Sequence, residues 1–300
     1  MSEIPPLTDD LVAAFQIEGW PLRGRIVRLG GAIDEVLGRH DYPEPVANLL
    51  GEACALAALV GSSLKFEGKL VVQAQGDGPV SLVVADYDTT GGLRGYCSFD
   101  PARVEAASQG FARPGAQSLL GGGVFIMTID QGPESDRYQG IVAIEGETLA
   151  LCAEQYFAQS EQTPTRVRLS VGQVDVGEGL RWRAGGILIQ NIAADEARGS
   201  TEDVWERAQA LFATTGEDEL IDPTLPGETL LWRLFNEDGV RLFEARPLRA
   251  FCRCSADRVA TVIQTFSDEE KAEMTEDDGK IRVKCEYCSR TYEFEPEAAG

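Results

Sequence analysis

Four cysteines near the C-terminal end constrain the structure of this chain more than any other feature. They are spaced as Cys252-x-Cys254 and Cys285-x-x-Cys288, with thirty residues between the two pairs. Two close pairs of soft ligands separated by a loop match the ligand spacing of structural zinc sites. Because four thiolates complete a tetrahedral site and leave no position for water, we predict one structural Zn²⁺ ion. The alternative is a set of four buried or disulfide-bonded cysteines.

The residues around these cysteines, 251–300, predict a helix and a β-hairpin. Ser255 is a favourable N-cap residue, and the helix after it has one apolar face, formed by Val259, Val262, Ile263 and Phe266. Lys280–Cys285 and Thr291–Glu295 alternate as strands, and their predicted buried face consists of Ile281, Val283, Tyr292 and Phe294. Because so small a unit lacks the core to fold alone, we expect its fold to depend on the metal.

Residues 1–195 combine helix and strand patterns. Apolar residues predict a largely buried helix over 46–60 and a helix with one apolar face over 148–160. The strand patterns are Lys69–Gln75, Val80–Ala85, Leu93–Ser98, Val124–Ile129, Arg137–Ile144, Arg166–Ser170 and Gly186–Gln190. Because helices do not alternate regularly with strands, we predict an α+β domain with mostly antiparallel pairing.

Residues 196–250 are predicted to form a helical linker between these two domains. The segment is rich in Asp, Glu, Thr and Ala, but it contains two short apolar stripes, Val204–Ala208–Leu211–Phe212 and Leu230–Leu231–Leu234–Phe235. Such amphipathic helices have little core of their own, so they need a neighbour on which to pack. These residues alone favour an ordinary connector between domains.

The charge of the chain excludes some classes of partner. A net charge of −22 and a pI near 4.4 argue against binding to nucleic-acid phosphates or anionic lipid. The N-terminal residues lack the pattern of a secretory signal, and no run of eighteen apolar residues predicts a membrane span. We therefore expect a cytoplasmic protein, in which reducing conditions favour metal ligation over permanent disulfides.

The sequence offers little support for catalysis. His40 is the only histidine, and it lies in a turn-like segment that favours a structural role. The Gly-x-Ser-x-Gly motif of serine hydrolases is absent. Cys54, Cys97 and Cys152 lie in apolar or strand contexts and are predicted to be inert core residues. We assign no catalytic residue and expect a protein that is not an enzyme.

The cysteine spacing also permits redox chemistry. Thiolates are the form of cysteine that oxidants attack, and two adjacent pairs could oxidise to local disulfides and release the metal. That event would unfold the C-terminal domain and free the linker. The alternative is a static zinc site that only stabilises the C-terminal domain.

The chain resembles the heat-shock protein 33 family of redox-regulated 33 kDa chaperonins. The cysteine pattern matches that family, and further matching motifs are His40–Pro43, Leu64–Gly68, Gln75–Pro79, Arg137–Gly140 and Tyr156–Gln162. The resemblance extends from about residue 20 to residue 296. Residues 1–19 are an acidic extension to which we attach no function.

The resemblance implies an ATP-independent holdase chaperone. In the reduced state, Cys252, Cys254, Cys285 and Cys288 would bind one Zn²⁺ ion and the protein would be inactive. Oxidation would form the disulfides Cys252–Cys254 and Cys285–Cys288, expel zinc and unfold the switch domain. The linker would then lose order, and the activated protein would dimerise and hold unfolding client proteins. The resemblance therefore favours a switch over a static site, and a metastable linker over a plain connector.

Two rival functions come from other classes. A thiol–disulfide oxidoreductase could use Cys285 and Cys288, but such a pair usually lies at a helix N-terminus, and here it lies between two predicted strands. A zinc-ribbon module that binds nucleic acid or a protein partner is the second rival, and the negative charge argues against nucleic acid.

Overall fold

The computed structural model describes residues 9–65, 67–110, 113–132, 136–192 and 202–295. The predicted boundary at 195/196, the first residues of the predicted linker (196–201) and Phe66 of the Leu64–Gly68 motif lie outside these ranges. By its contacts the chain divides into two compact units, Met1–Ala250 and Phe251–Gly300.

The larger unit has an α+β fold, as the sequence predicts. Its strands are β1 Leu11–Ile17, β2 Leu22–Leu29, β3 Lys69–Gly76, β4 Val80–Asp88, β5 Gly92–Phe99, β6 Gly123–Asp130, β7 Tyr138–Ala143, β8 Thr165–Asp175, β9 Leu180–Asn191, β10 Val240–Leu242, β11 Arg246–Pro247 and β12 Arg249–Ala250. Its helices are α1 Gly31–Leu37, α2 Glu44–Gly61, α3 Pro101–Ser108, α4 Ala116–Leu120, α5 Leu149–Ser160, α6 Glu202–Ala213, α7 Glu217–Ile221 and α8 Gly227–Phe235.

The strands form two sheets. The first sheet has the order β10-β1-β2-β9-β8, with β11 also paired to β1, and the second has the order β12-β5-β4-β3-β6-β7. Among the described residues of these sheets, every ladder is antiparallel except the short pairing of β12 with β5. The predicted antiparallel pairing is therefore confirmed, whereas β1, β2, β10, β11 and β12 were not predicted.

The helix α2 is the centre of the core, as predicted from the apolar run 46–60. It packs against strands of both sheets, and Leu50, Cys54 and Leu56 are fully buried. Its length and its mean hydropathy of 1.2 would also suit a membrane span, but 83% of that window is buried inside the protein. A helix covered by its own protein on this scale is typical of a globular core.

The helices of the predicted linker cover one face of the first sheet. That face consists of Ala13, Phe15, Ile17, Leu22, Ile26, Ile187 and Ile189. The linker contributes buried residues to the same cluster: Ala208, Phe212, Leu220, Leu225, Leu230, Leu231, Leu234 and Phe235. The apolar stripes of α6 and α8 thus bury against a neighbour, because their own helices cannot cover them. We refer to this cluster as the linker core.

Polar contacts also hold α7 on the sheet. The buried side chains of Arg28 and Arg183 donate hydrogen bonds to the backbone carbonyls of Asp222 and Ile221, the latter over 2.7 Å. Both arginines pair with the carboxylate of Asp9. Buried guanidinium groups that are paired in this way keep their charge, so the end of α7 is fixed by charge-assisted hydrogen bonds.

A glycine on β9 allows the backbone of α7 to approach the sheet. A Cβ atom at Gly185 would lie 2.0 Å from the carbonyl oxygen of Leu220. We expect Gly185→Ala to displace α7 and to speed hydrogen exchange at residues 217–221, because backbone cannot give way as a flexible side chain can. Gly122→Ala is the matched control, since its Cβ would meet nothing nearer than 3.7 Å. Unchanged exchange in Gly185→Ala would contradict this account of how α7 is seated.

The smaller unit consists of α9 Ala256–Ile263, α10 Asp268–Met274 and a hairpin of β13 Ile281–Lys284 and β14 Thr291–Phe294. The predicted N-cap is confirmed, because the Ser255 side chain accepts a hydrogen bond from the Arg258 backbone. The predicted apolar face of the helix is wrong in part. Ile263 is buried, but Val262 is 58% exposed and Phe266 lies beyond the end of α9 and is 37% exposed.

The core of the smaller unit is very small. Among its described residues, Ile263 and Ile281 are the buried members of the apolar cluster, with Val259, Met274, Val283 and Phe294 partly buried around them. The ion pairs of Arg282 with Glu276, Asp278 and Glu293 lie at the surface, where such pairs contribute little. The unit therefore needs a further source of stability, as the sequence predicts.

Candidate metal centre

Two different backbone segments supply the four cysteines of the smaller unit. Cys252 and Cys254 lie in irregular backbone just before α9, and Cys285 and Cys288 lie in the turn between β13 and β14. All four Sγ atoms lie within 4.8 Å of one another. The chain thus brings together the two pairs that the spacing predicts, and this four-cysteine cluster could hold a metal ion.

The hairpin turn positions the second pair. The backbone N–H of Cys285 donates to the carbonyl of Arg290 over 2.9 Å, and the N–H of Ser289 donates to the carbonyl of Cys285 over 2.8 Å. Ser289 takes a left-handed conformation with φ of 57°, which turns the chain sharply after Cys288. Both sulfurs therefore face the same point. The pair lies in the turn between two strands and does not itself open a helix, which disfavours the oxidoreductase hypothesis.

The helix cap positions the first pair. Ser255 caps α9, and the guanidinium of Arg258 donates to the backbone carbonyl of Arg253 over 2.8 Å. This contact ties the residue between the two cysteines to the first turn of the helix. The segment forms no strand, and these two contacts fix its backbone at the start of α9.

The distances between sulfurs suit a tetrahedral thiolate site. Sγ of Cys252 lies 3.7 Å from Sγ of Cys285, and Sγ of Cys254 lies 3.3 Å from Sγ of Cys288. Zinc–sulfur bonds of about 2.3 Å imply sulfur–sulfur separations of about 3.8 Å in a tetrahedron. Both contacts join a cysteine of one pair to a cysteine of the other. A metal held here would therefore link the hairpin to the start of α9.

Charge within the cluster also favours a cation. Burial raises the pKa of the Cys285 thiol, and it raises the pKa of Cys288 to about 12. Burial acts in the same direction on Cys254, but hydrogen bonds from Tyr292 and the other three thiols outweigh it and lower its pKa to about 7. One thiolate is thus accommodated by its neighbours, whereas four in such proximity would repel one another. A divalent cation removes that repulsion, because a coordinated thiol is deprotonated outright.

Two residues beside the cluster were not predicted to contact it. The hydroxyl of Tyr292 donates to Sγ of Cys254 over 3.1 Å. A hydrogen bond to Tyr292 and the charges of Cys254 and Cys288 raise the pKa of Arg290. The strand pattern correctly placed Tyr292 on the same face of the hairpin as Phe294, but the ring is only half-buried, and the pattern gave no sign that the hydroxyl reaches a sulfur.

The other cysteines and the histidine lie elsewhere. Cys54, Cys97 and Cys152 are buried, at 0%, 2% and 0% exposure, as predicted. Burial raises the pKa of Cys54 to about 12 and that of Cys97 well above its usual value, which disfavours the reactive thiolate. His40 packs near the rings of Tyr42 and Tyr96, at centroid distances of 5.0 and 5.8 Å.

Comparison with known proteins gives one family. The sequence profile of the family described as "Hsp33 protein" matches residues 10–295. A 33 kDa chaperonin of Caulobacter vibrioides is 74% identical over 302 aligned residues, which cover 100% of both chains. A 33 kDa chaperonin of Escherichia coli is 36% identical over 285 residues, or 95% of this chain and 92% of that protein.

A solved structure shows the same fold. The 33 kDa chaperonin of Thermotoga maritima, a heat shock protein 33 homolog, superposes with a TM-score of 0.81. The alignment covers 97% of this chain and 96% of that one, at 24% sequence identity. At this identity the likeness concerns the fold alone. The family profile begins at residue 10, so it includes β1, which lies in the region where the sequence resemblance was not recognised.

Proposed function

The chain belongs to the Hsp33 family, and from this premise we propose that it is a redox-regulated, ATP-independent holdase chaperone. In the reduced protein Cys252, Cys254, Cys285 and Cys288 hold one structural Zn²⁺ ion. Oxidation converts them into the disulfides Cys252–Cys254 and Cys285–Cys288, and the zinc is released. The observation that carries this proposal is the convergence of four sulfurs from two segments within 4.8 Å in a unit with almost no apolar core.

The electron balance of the switch requires an oxidant, for which peroxide suffices. Each disulfide forms when two thiolates lose two electrons, and one hydrogen peroxide accepts them with two protons to give two molecules of water. Two peroxides therefore oxidise the four cysteines. The two disulfides leave no thiolate to hold a cation, because the thiolate is the ligand form of cysteine.

Loss of the metal would unfold the smaller unit. Structural zinc contributes on the order of 10–16 kcal/mol to small zinc-binding peptides, which exceeds the stability of most domains. Ile263 and Ile281 alone cannot replace that contribution. We propose that residues 251–300 are the redox-switch domain, that 196–250 are a metastable linker and that 1–195 are the chaperone core.

Release of the linker would uncover an apolar surface. The linker core joins Phe15, Ile26 and Ile187 of the first sheet to side chains of α6, α7 and α8. If these helices leave, that face of the sheet becomes exposed, and contiguous exposed apolar surface is typical of protein-binding sites. We propose that unfolding client proteins, and a second copy of the oxidised chain, are the partners of the activated state. The proposed compartment is the cytoplasm, with neither nucleic acid nor membrane as a partner.

Disulfide mapping tests the switch at the cysteines. After peroxide treatment, mass spectrometry of proteolytic fragments should find Cys252 joined to Cys254 and Cys285 joined to Cys288, with zinc released in proportion. Four cysteines allow three pairings. The sulfur contacts of 3.7 and 3.3 Å join a cysteine of one pair to a cysteine of the other. The mapping must therefore distinguish the proposed disulfides from the alternative pairing, Cys252–Cys285 and Cys254–Cys288. That cross-pairing, or oxidation without zinc release, would contradict the proposed switch.

A further inference from the structure

A half-buried arginine between the two sheets has no ion-pair partner among the residues that the structure describes. Arg25 lies on β2, and its guanidinium forms no hydrogen bond or ion pair with any residue in the described part of the chain. Other inward arginines are paired: Arg94 lies 2.6 Å from a carboxylate oxygen of Asp86, and Arg183 pairs with Asp9. Removing a charge from water is costly unless it is paired. Arg25 is therefore a site that would gain from a bound anion.

The neighbours of Arg25 add positive charge. In the pairing of β2 with β9, Arg23 is opposite Gln190 and Arg25 is opposite Leu188, so both arginines lie on the same face of the sheet. The Arg23 guanidinium donates to the side chain of Gln190 over 3.1 Å and has no described carboxylate partner. Burial, together with the charges of Arg23 and Arg246, lowers the pKa of Arg25 to about 10. Cations that depress each other's pKa in this way attract an anion.

Both arginines line a small cavity of about 150 Å³. Its wall is mixed, and its apolar part includes Leu70, Met127 and Phe157. The carboxylate of Glu161 also lines it, but that group accepts hydrogen bonds from the hydroxyls of Tyr138 and Tyr156 over 3.1 and 3.4 Å. With two arginines against one glutamate, the described lining keeps a net positive charge. A cavity of about this volume can hold a molecule as large as benzene.

We propose that this cavity is a binding site for a small carboxylate with an apolar body. The carboxylate would pair with Arg25 and Arg23, and the apolar body would lie against Leu70, Met127 and Phe157. An inorganic anion would satisfy the charge but leave the apolar wall empty, whereas a neutral aromatic molecule would fill the wall and leave the charge unpaired. The site does not depend on the cysteine switch, so this proposal can be correct or wrong independently of the proposed function.

Isothermal titration of the whole, zinc-loaded chain tests the site with three probes: benzoate, benzyl alcohol and inorganic phosphate. Benzoate should bind saturably at one site, and the other two should bind about tenfold more weakly or worse, because each lacks one of the two interactions. Binding of benzyl alcohol or phosphate as tight as that of benzoate would overturn the proposal. Absence of saturable benzoate binding would overturn it as well.

Variants locate the binding within the structure. Arg25→Met keeps the apolar stem and removes the charge, so it should weaken benzoate binding about tenfold or more. The unliganded variant should melt no lower than the parent, since an unpaired charge has been removed. Arg103→Gln, which changes an exposed arginine outside the cavity, is the control and should bind benzoate unchanged. Benzoate binding by Arg25→Met as tight as that of the parent would refute the site. If that variant does not fold, titration of the parent chain with the three probes is the test of the site.

Discussion

Replacing all four cluster cysteines with serine should abolish zinc binding and unfold the smaller unit, while the larger unit stays folded. Serine keeps the size of the side chain but offers no thiolate, and zinc is the main source of stability that we propose for residues 251–300. The free energy of unfolding of that unit should fall by on the order of 10 kcal/mol. Zinc content by atomic absorption and hydrogen exchange over residues 251–295 would measure both effects.

The matched control changes a cysteine outside the cluster. Cys152 is fully buried in the larger unit, so Cys152→Ala should cost some global stability and leave equimolar zinc in place. If the quadruple serine variant still binds zinc, the ligand assignment is wrong. If it loses zinc but residues 251–295 remain protected from exchange, the metal is not what holds the smaller unit together.

Removing one aromatic ring from the linker core should make the protein active without oxidation. Phe235 on α8 is 1% exposed, and its ring lies 6.2 Å from Phe15 and 6.4 Å from Trp20. Phe235→Ala should lower the free energy of unfolding by about 3–5 kcal/mol, as other substitutions that remove a buried aromatic ring and leave a cavity do. Because Phe235 packs α8 against the sheet, the variant should weaken that packing most. We therefore expect the linker helices to lose protection from hydrogen exchange. Chaperone activity should then appear in the reduced, zinc-loaded protein.

The control for this variant lies on the same helix. Trp232 is 62% exposed, so Trp232→Ala removes a larger ring and should change neither linker exchange nor activity under reducing conditions. Suppression of client aggregation by reduced Phe235→Ala, compared with none by reduced Trp232→Ala, would connect the linker core to activity. If the linker helices of Phe235→Ala lose protection from hydrogen exchange but the variant gains no activity, order in the linker does not control activity. That result would contradict the proposed role of the linker.

The features that the sequence predicted best are those encoded locally. The buried helix α2 and the strands β3 to β6 follow from patterns within short windows, and each of the two cysteine pairs is itself a short motif. The cysteine spacing was informative because few coordination geometries accept two such pairs. The burial of the apolar stripes on α6 and α8 was also correctly predicted, since such a stripe shows which side of a helix must be buried.

The features that the sequence did not predict depend on distant partners. Leu11–Ile17 was not recognised as a strand, because its place is set by pairing with β2, β10 and β11, the last two more than 200 residues away. Val12 and Ala13, on opposite faces, are both buried, so the apolar residues at the start of the strand show no clear alternation. The contact of Tyr292 with Cys254 likewise joins residues 38 apart in sequence. Val262 shows a different error. The helical pattern predicted that it is buried, but the small core cannot cover so many apolar side chains, and Val262 is exposed.

The most direct test of the central claim is light scattering of a heat-unfolding client protein, measured with released zinc in the same sample. The reduced, zinc-loaded protein should leave aggregation unchanged, and the peroxide-oxidised protein should suppress it, with suppression increasing as zinc is released. Equal suppression in both states would mean a chaperone without a redox switch. No suppression in either state would contradict the proposed function and leave the four-cysteine cluster as a structural metal site.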